Sequence, residues 1–467
     1  MKKIIKRVVL PLLALVLVTF SVMCGIRIYN VSNTTTAREL EVLEEARLKG
    51  ALSVNYKDRY EVLKPLPYKT TEQNLDVWAE SVILINADNG NILYERNADE
   101  VIPPASMTKL FAMYVVDEEV SSGRLSYDQI IPLPEESLAC NMPPRSSLMF
   151  LGEGQKVTLE ELLLGLSIAS GNDAAYALAY TVSGSMEEFV ERMNKVARDL
   201  GLVNTHFVES SGYSELNTTT AREMAKFSAI YLEKHPDSLK RFHSVREFTY
   251  PKEHNLAEGD ILEAQDFSTG LPRHITMSIT QENTNPLLGV LEGCDGLKTG
   301  YIDESGYNLS LTASRDGTRY ISITMKGPGS NSIEGQKGRV HDGTLLMEWA
   351  FSRFSNMDLS QYFKPYPVKS LNASEIMINL VPAFDEIDFT IPCLSGKTKE
   401  ENLNNIKVIV EVPDYTWGEI EMGEELGVIK VLLEDYILDE IPLVSDRKLI
   451  KNNFIVGFAD KIHLFFN

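Results

Sequence analysis

Strand-forming segments stand at both ends of a long helical middle in this 467-residue chain, and that arrangement limits its fold more than any other feature. Val82-Ile83-Leu84-Ile85 and Ile92-Leu93-Tyr94 flank Asp88-Asn89-Gly90-Asn91, the pattern of a hairpin. Helix-permissive runs follow, including Leu162 to Ala169 and Phe189 to Leu200, and continue to about His235. Strand patterns return at Gly296 to Tyr301, Tyr307 to Ser314 and Tyr320 to Met325, with Asp316-Gly317 as a turn. A helix over His341 to Phe354 closes the region. The expected class is α+β: one antiparallel sheet with a helical region packed on it.

The densest chemistry follows the hairpin, at Pro103-Pro104-Ala105-Ser106-Met107-Thr108-Lys109. The prolines resist helix and the run Met107 to Val116 permits it, which puts Ser106 at or just inside a helix N-terminus. Residues i and i+3 share a helix face, so the Lys109 amine comes beside the Ser106 hydroxyl. Serine is a poor nucleophile until a base takes its proton, and a desolvated neutral lysine can be that base. The helix N-terminus adds positive potential that favours an alkoxide and disfavours protonation of Lys109. Two further stretches strengthen this reading. Ser170-Gly171-Asn172 lies between two helical runs, placing a hydroxyl and an amide on a short turn. Lys298-Thr299-Gly300 opens a strand, where a glycine lets a substrate backbone lie against it.

Ser-x-x-Lys, Ser-x-Asn and Lys-Thr-Gly in that order are the set shared by penicillin-binding proteins and serine β-lactamases. Their surroundings, Pro104 to Lys109, Ser170 to Ala175 and Asp295 to Tyr301, most resemble the D-alanyl-D-alanine carboxypeptidases over roughly Ala79 to Phe354. Asn204 to Phe207, Thr219 to Ala225 and Asn283 to Leu288 match as well, whereas Ser210-Ser211-Gly212-Tyr213 departs from the family pattern. The resemblance implies a β-lactamase/transpeptidase-like domain that trims peptidoglycan stem peptides ending in D-Ala-D-Ala and is acylated by β-lactams. It implies that Ser106 attacks and Lys109 takes its proton, while the backbone N–H groups of Ser106 and Tyr301 hold the oxyanion. Ser170 would relay a proton to the leaving amine, steadied by Lys298, and Asn172 would bond the substrate amide. Thr299, beside Gly300 and with Arg339 behind it, would receive the terminal carboxylate. No metal or organic cofactor is implied.

Three rival readings stand beside this one. A DD-endopeptidase or transpeptidase would differ in the amine released or accepted. A β-lactamase of this motif set needs a deacylating glutamate, whose Glu-x-x-Leu-Asn signature occurs at Glu400 to Asn404, far beyond Lys298. An idle stem-peptide-binding protein would not need Ser106, Lys109, Ser170 and Lys298 all intact.

The remaining segments locate the enzyme. Lys2, Lys3, Lys6 and Arg7 precede an apolar run from Val8 to Ile26, so residues 1–27 read as a signal or membrane segment with its basic end inside. No small-x-small cleavage site stands near Met23 to Ile26, so retention is expected. Residues 28–78 read as a polar stalk with a helical piece over Ala37 to Leu52, and 79–360 as the peptidase domain. The short alternating runs over 361–452 suggest a small all-β domain, and 453–467 either an amphipathic C-terminal helix at the membrane surface or a terminal strand or helix docked on that domain. The enzyme is then expected on the outer side of the cytoplasmic membrane, or in the periplasm, attached to that membrane. The net charge of −21 argues against a nucleic-acid partner. The four cysteines show neither a disulfide framework nor metal spacing.

Overall fold

A computed structural model describes residues 10–33, 63–69, 74–257, 262–265, 272–275, 278–383, 388–393 and 397–466. The helix expected over Ala37 to Leu52 lies outside the described residues. Helix α1 (Leu10–Asn33) opens the described chain. The described residues fall into two compact units, one containing residues 63–66 and 74–355, the other containing α1, Pro67–Lys69 and residues from 356 onward.

The first unit is built on a six-stranded sheet. Its order is β1 (Lys64–Pro65), β3 (Asn91–Arg96), β2 (Ser81–Asn86), β6 (Thr318–Gly327), β5 (Gly306–Arg315), β4 (Cys294–Ile302). The late strands return to the early hairpin, as the strand pattern implies: Ile323 pairs with Ile83 and Ile321 with Ile85, antiparallel. Only the edge pair β1–β3 runs parallel within this sheet.

Alternation sorts the side chains between two cores. Ile83, Ile85, Ile321, Ile323 and Met325 face a large cluster with helices α2 (Lys109–Ser121), α3 (Leu159–Ser167), α4 (Asn172–Ser183), α5 (Met186–Asp199) and α6 (Ala221–Lys234). Val82, Leu84, Leu309 and Leu311 face the other way, onto Leu346, Met347, Ala350 and Phe351 of α7 (Ser332–Arg353). Strand β2 is buried along its whole length because both its faces are covered. Asn331 caps α7 by accepting from the N–H groups of Ile333 and Glu334, so that helix begins well before His341.

The stalk expected over 28–78 needs correction at both ends. Helix α1 runs on to Asn33, and β1 belongs to the sheet. Leu75 and Val77 are buried beside Leu84 and Phe351, because Asp342 accepts the N–H groups of Trp78 and Ala79 and draws this segment onto α7.

The second unit carries its own six-stranded sheet. Its order is β9 (Ile406–Glu411), β11 (Glu425–Leu433), β12 (Tyr436–Ser445), β8 (Met377–Pro382), β7 (Tyr366–Leu371), β10 (Tyr415–Trp417). Ile378, Leu380, Ile429, Val431 and Leu443 fill its core. The chain ends in helix α8 (Phe454–Phe466).

Candidate active site

Ser106 stands in a short 3₁₀ turn, Ala105–Thr108, that runs directly into α2. Ala105 has a φ of 49°, a left-handed conformation that a non-glycine residue holds at a cost of about 1–3 kcal/mol and that recurs at functional sites. Two glycines press on this turn. A Cβ on Gly300 would lie 2.6 Å from the Pro104 carbonyl and 3.1 Å from the Ser106 nitrogen. A Cβ on Gly212, which has a φ of 78°, would overlap the Ala105 carbonyl. No larger residue fits either place without moving the serine.

Lys109 is fully buried, with its Nζ 3.0 Å from Ser106 Oγ, 2.8 Å from Asn172 Oδ1 and 2.5 Å from the Ser211 carbonyl. A neutral amine has two N–H bonds and one lone pair. Asn172 and Ser211 accept the two N–H groups, which leaves the lone pair for Ser106. Burial pulls the Lys109 pKa down to about 7, against the upward pull of Glu209 and Asp173.

Ser170 lies between α3 and α4 with a φ of 58°, a second left-handed residue in the site. Asp173 fixes this turn by accepting the N–H groups of Met149, Phe150, Leu151 and Ala174. Asn172 is thereby held between Lys109 and the Ser146 hydroxyl, which accepts from its Nδ2 at 3.1 Å.

Lys298 enters from β4, an edge strand whose outer side has no strand neighbour among the described residues. Its Nζ lies 3.0 Å from Ser170 Oγ and 3.2 Å from the Thr299 carbonyl. Burial drives its pKa well below the ordinary lysine value, and the charges of Lys109 and Arg339 push the same way. The Thr299 hydroxyl donates to Thr284 Oγ1 at 2.7 Å. Arg339, from α7, is buried; its Nη2 donates to the Gly300 carbonyl at 2.5 Å and its Nε to the Asn308 carbonyl at 3.0 Å. It also lies over the Tyr307 ring, 5.1 Å from its centre. Arg339 therefore ties β4 to β5, and burial lowers its pKa to about 10. Among the described residues neither Lys298 nor Arg339 has a carboxylate partner. Tyr301 is partly exposed, stacked on Tyr307, and donates its hydroxyl to Asp303 at 2.7 Å.

Ser106, Lys109, Ser170, Asn172, Lys298, Thr299, Gly300 and Tyr301 are thus gathered around one cleft, with Arg339 behind the strand. Ser106, Asn172, Gly212, Tyr213 and Tyr301 line a cavity of about 240 Å³, with Arg145 and Asp303 at its mouth. Several members escape sequence reasoning. Ser211 contributes its backbone carbonyl, which leaves no mark in the sequence. Glu209 accepts from the N–H groups of Ser211 and Gly212 and from Asn217 Nδ2, holding that loop in place. Thr284 lies in a stretch already singled out, Asn283 to Leu288, but its partnership with Thr299 exists only in the fold.

A family model described as D-alanyl-D-alanine carboxypeptidase matches residues 68–329, more than half the chain. The chain is 29% identical over 381 residues to D-alanyl-D-alanine carboxypeptidase DacF of Bacillus subtilis, covering 81% of this chain and 87% of that protein. It is 32% identical over 396 residues to D-alanyl-D-alanine carboxypeptidase DacC of Escherichia coli, covering 83% and 88%. Penicillin binding protein 5 from Haemophilus influenzae superimposes with a TM-score of 0.64 at 25% identity, covering 82% of this chain and 100% of that one.

Proposed function

The chain belongs to the D-alanyl-D-alanine carboxypeptidase family, and on that premise we propose that Ser106 is the nucleophile by which it removes the terminal D-alanine from peptidoglycan stem pentapeptides. The enzyme is a serine hydrolase working through an acyl-enzyme. Ser106 Oγ attacks the carbonyl of the penultimate D-alanine, and Lys109, in its neutral form, takes the proton. The N–H groups of Ser106 and Tyr301 hold the oxyanion, each donor contributing roughly 3 kcal/mol to the transition state. Collapse of the tetrahedral intermediate expels D-alanine, whose amine takes a proton through Ser170. Asn172 holds both Lys109 and the substrate amide. The substrate lies along the edge strand β4, as an added strand does, and water then releases the acyl group.

The terminal carboxylate sits by Lys298 and the Thr284–Thr299 hydroxyl pair. Arg339, a buried cation without a carboxylate partner among the described residues, gives that place positive potential from behind β4, and an arriving carboxylate would favour the protonated form of Lys298 beside it. β-Lactams, which also present a carboxylate beside a reactive carbonyl, acylate the same serine. The Glu400 to Asn404 match belongs to the other compact unit, and the adduct is expected to be long-lived. The apolar N-terminal segment supports a location at the outer face of the cytoplasmic membrane.

One observation carries this reading: the buried Lys109 Nζ stands 3.0 Å from Ser106 Oγ, with two other acceptors, Asn172 Oδ1 and the Ser211 carbonyl, placed to take the N–H groups of its neutral form. The test is mass spectrometry of products from a purified muropeptide pentapeptide. Loss of a single alanine is expected. Cleavage of cross-linked dimers without that loss would make the enzyme an endopeptidase, and inactivity together with failure to be labelled by a fluorescent penicillin would make it a binding protein.

A further inference from the structure

The strongest unexplained feature lies in the second unit, where the two ends of the described chain meet. Helix α1 is apolar enough over Leu12–Val31, 20 residues, to cross a membrane. Most of it is bare, yet Phe20, Cys24, Arg27, Ile28 and Val31 do not share that exposure; they fall at spacings of three and four and form one helix face. That face meets α8. The Phe20 and Phe458 rings lie 5.6 Å apart. Arg27 donates from Nε to Asp460 Oδ1 at 2.9 Å and from Nη2 to Asp460 Oδ2 at 3.1 Å, a two-pronged pair with side-chain exposures of 13% and 0%.

We propose that α1 is not a discarded leader but a permanent part of the second unit, clamped to α8 by the Arg27–Asp460 pair so that the two helices form one seat in a lipid bilayer. Nothing in this depends on the peptidase chemistry. Position supports it first. A bilayer core takes about 20 residues of helix, and with the basic residues Lys2 to Arg7 inside, Arg27 falls within the last turn or so before the outer surface. A charge at that depth needs a partner, and Asp460 supplies it.

What α8 would lose points the same way. Asp460 is buried on a helix whose other side carries exposed Phe454, Phe465 and Phe466. Besides Arg27, it accepts only the Asn372 N–H among its described partners, so removing α1 would strip its one counter-charge. Breaking such a pair costs more than the pair contributes, which gives the fold a reason to keep both halves. Arg27 also reaches the Ser370 carbonyl at 3.5 Å, and Asn372 follows β7, so the clamp is fixed to the β-sheet of the same unit. Phe454 stacks on Phe458 and so stands by Phe20, within the apolar span of α1, where lipid would cover it.

The test uses the full chain, expressed in a bacterium and extracted from its membranes with detergent. Intact mass should include the residues before Asn33; a chain beginning beyond Asn33 would overturn the proposal. With Cys24, Cys140, Cys294 and Cys393 changed to Ser, Phe20→Cys and Phe458→Cys should be joined by a short bifunctional maleimide, and the two peptides recovered linked. Arg27→Leu, which leaves the helix apolar, should reduce that linkage at least fivefold, and Arg27→Lys should keep at least half of it. A retained helix that does not link, or one that links equally well in Arg27→Leu, would mean that the ion pair clamps nothing.

Discussion

Lys109 and Lys298 approach the same cleft from different elements, both buried, yet their surroundings suit them to the different tasks proposed for them. Burial lowers both pKa values. For Lys109 the carboxylates of Glu209 and Asp173 oppose that fall and hold it near 7, where a lysine can exchange protons at neutral pH. For Lys298 the nearby charges, Lys109 and Arg339, are positive and deepen the fall. A base needs a pKa near the working pH, whereas a lysine driven lower by positive neighbours takes up its proton when an anion arrives beside it, which suits Lys298 to a carboxylate subsite. Desolvation is common to both lysines, so the neighbouring charges decide the role.

Removing each amine in turn should separate the two tasks. Lys109→Met should slow acylation of Ser106 by penicillin by roughly 10²–10⁴-fold, the range for losing a positioned general base. Lys298→Met should lower kcat/KM on D-Ala-D-Ala peptides by about 2–4 kcal/mol, the scale for losing one partner of a desolvated charge pair. An amidated peptide, lacking the carboxylate, should lose less in Lys298→Met and as much as before in Lys109→Met. Equal losses for both variants on the amidated substrate would mean that the two lysines serve one proton-transfer network.

Arg339→Ala should have a smaller and less selective effect. Read from the sequence, Arg339 is a carboxylate contact whose removal leaves acylation intact. Its donors instead reach the carbonyls of Gly300 and Asn308, and Gly300 packs against the turn that carries Ser106. Both substrates should therefore lose activity, by about 1–3 kcal/mol in kcat/KM for unpaired buried carbonyls and a loosened strand, and the free carboxylate should lose somewhat more. A loss confined to the carboxylate substrate would return Arg339 to direct binding.

Legibility in the sequence follows the same division. Ser106 and Lys109 are readable because an i, i+3 spacing at a helix start fixes a contact locally, and Ser170 and Asn172 because a turn between two helical runs is local as well. The sheet is readable because continuous apolar runs, as at Val82 to Ile85, or alternating ones, as at Tyr307 to Ser314, mark its strands, and the parallel edge strand at Lys64–Pro65 is too short to show either pattern. What sets the two lysines apart is not local. The Ser211 carbonyl, the Glu209 carboxylate and the Thr284–Thr299 pair reach the cleft by long-range packing, and a backbone acceptor has no residue identity to read. The same holds for the Arg27–Asp460 pair, whose members stand near opposite ends of the chain.

The smallest expected effect concerns the charges around Lys109 directly. Acylation requires neutral Lys109, so its rate should rise about tenfold per pH unit below pH 7 and flatten above it, since deprotonation is then complete. Glu209 favours the charged form of Lys109, so removing its charge must lower the lysine's pKa further. In Glu209→Gln the acid limb should therefore shift towards lower pH, by less than about one unit for a charge acting across a polar, partly screened site. Glutamine keeps one acceptor oxygen for the N–H groups of Ser211 and Gly212, so the plateau rate should change less than the position of the limb. The measurement is the second-order rate of penicillin labelling between about pH 5 and 9, a range chosen to bracket the lysine. A limb that moves upward would show that Glu209 acts on Lys109 through loop geometry instead of charge, and a limb that stays in place would leave burial, opposed by Asp173, to set its pKa.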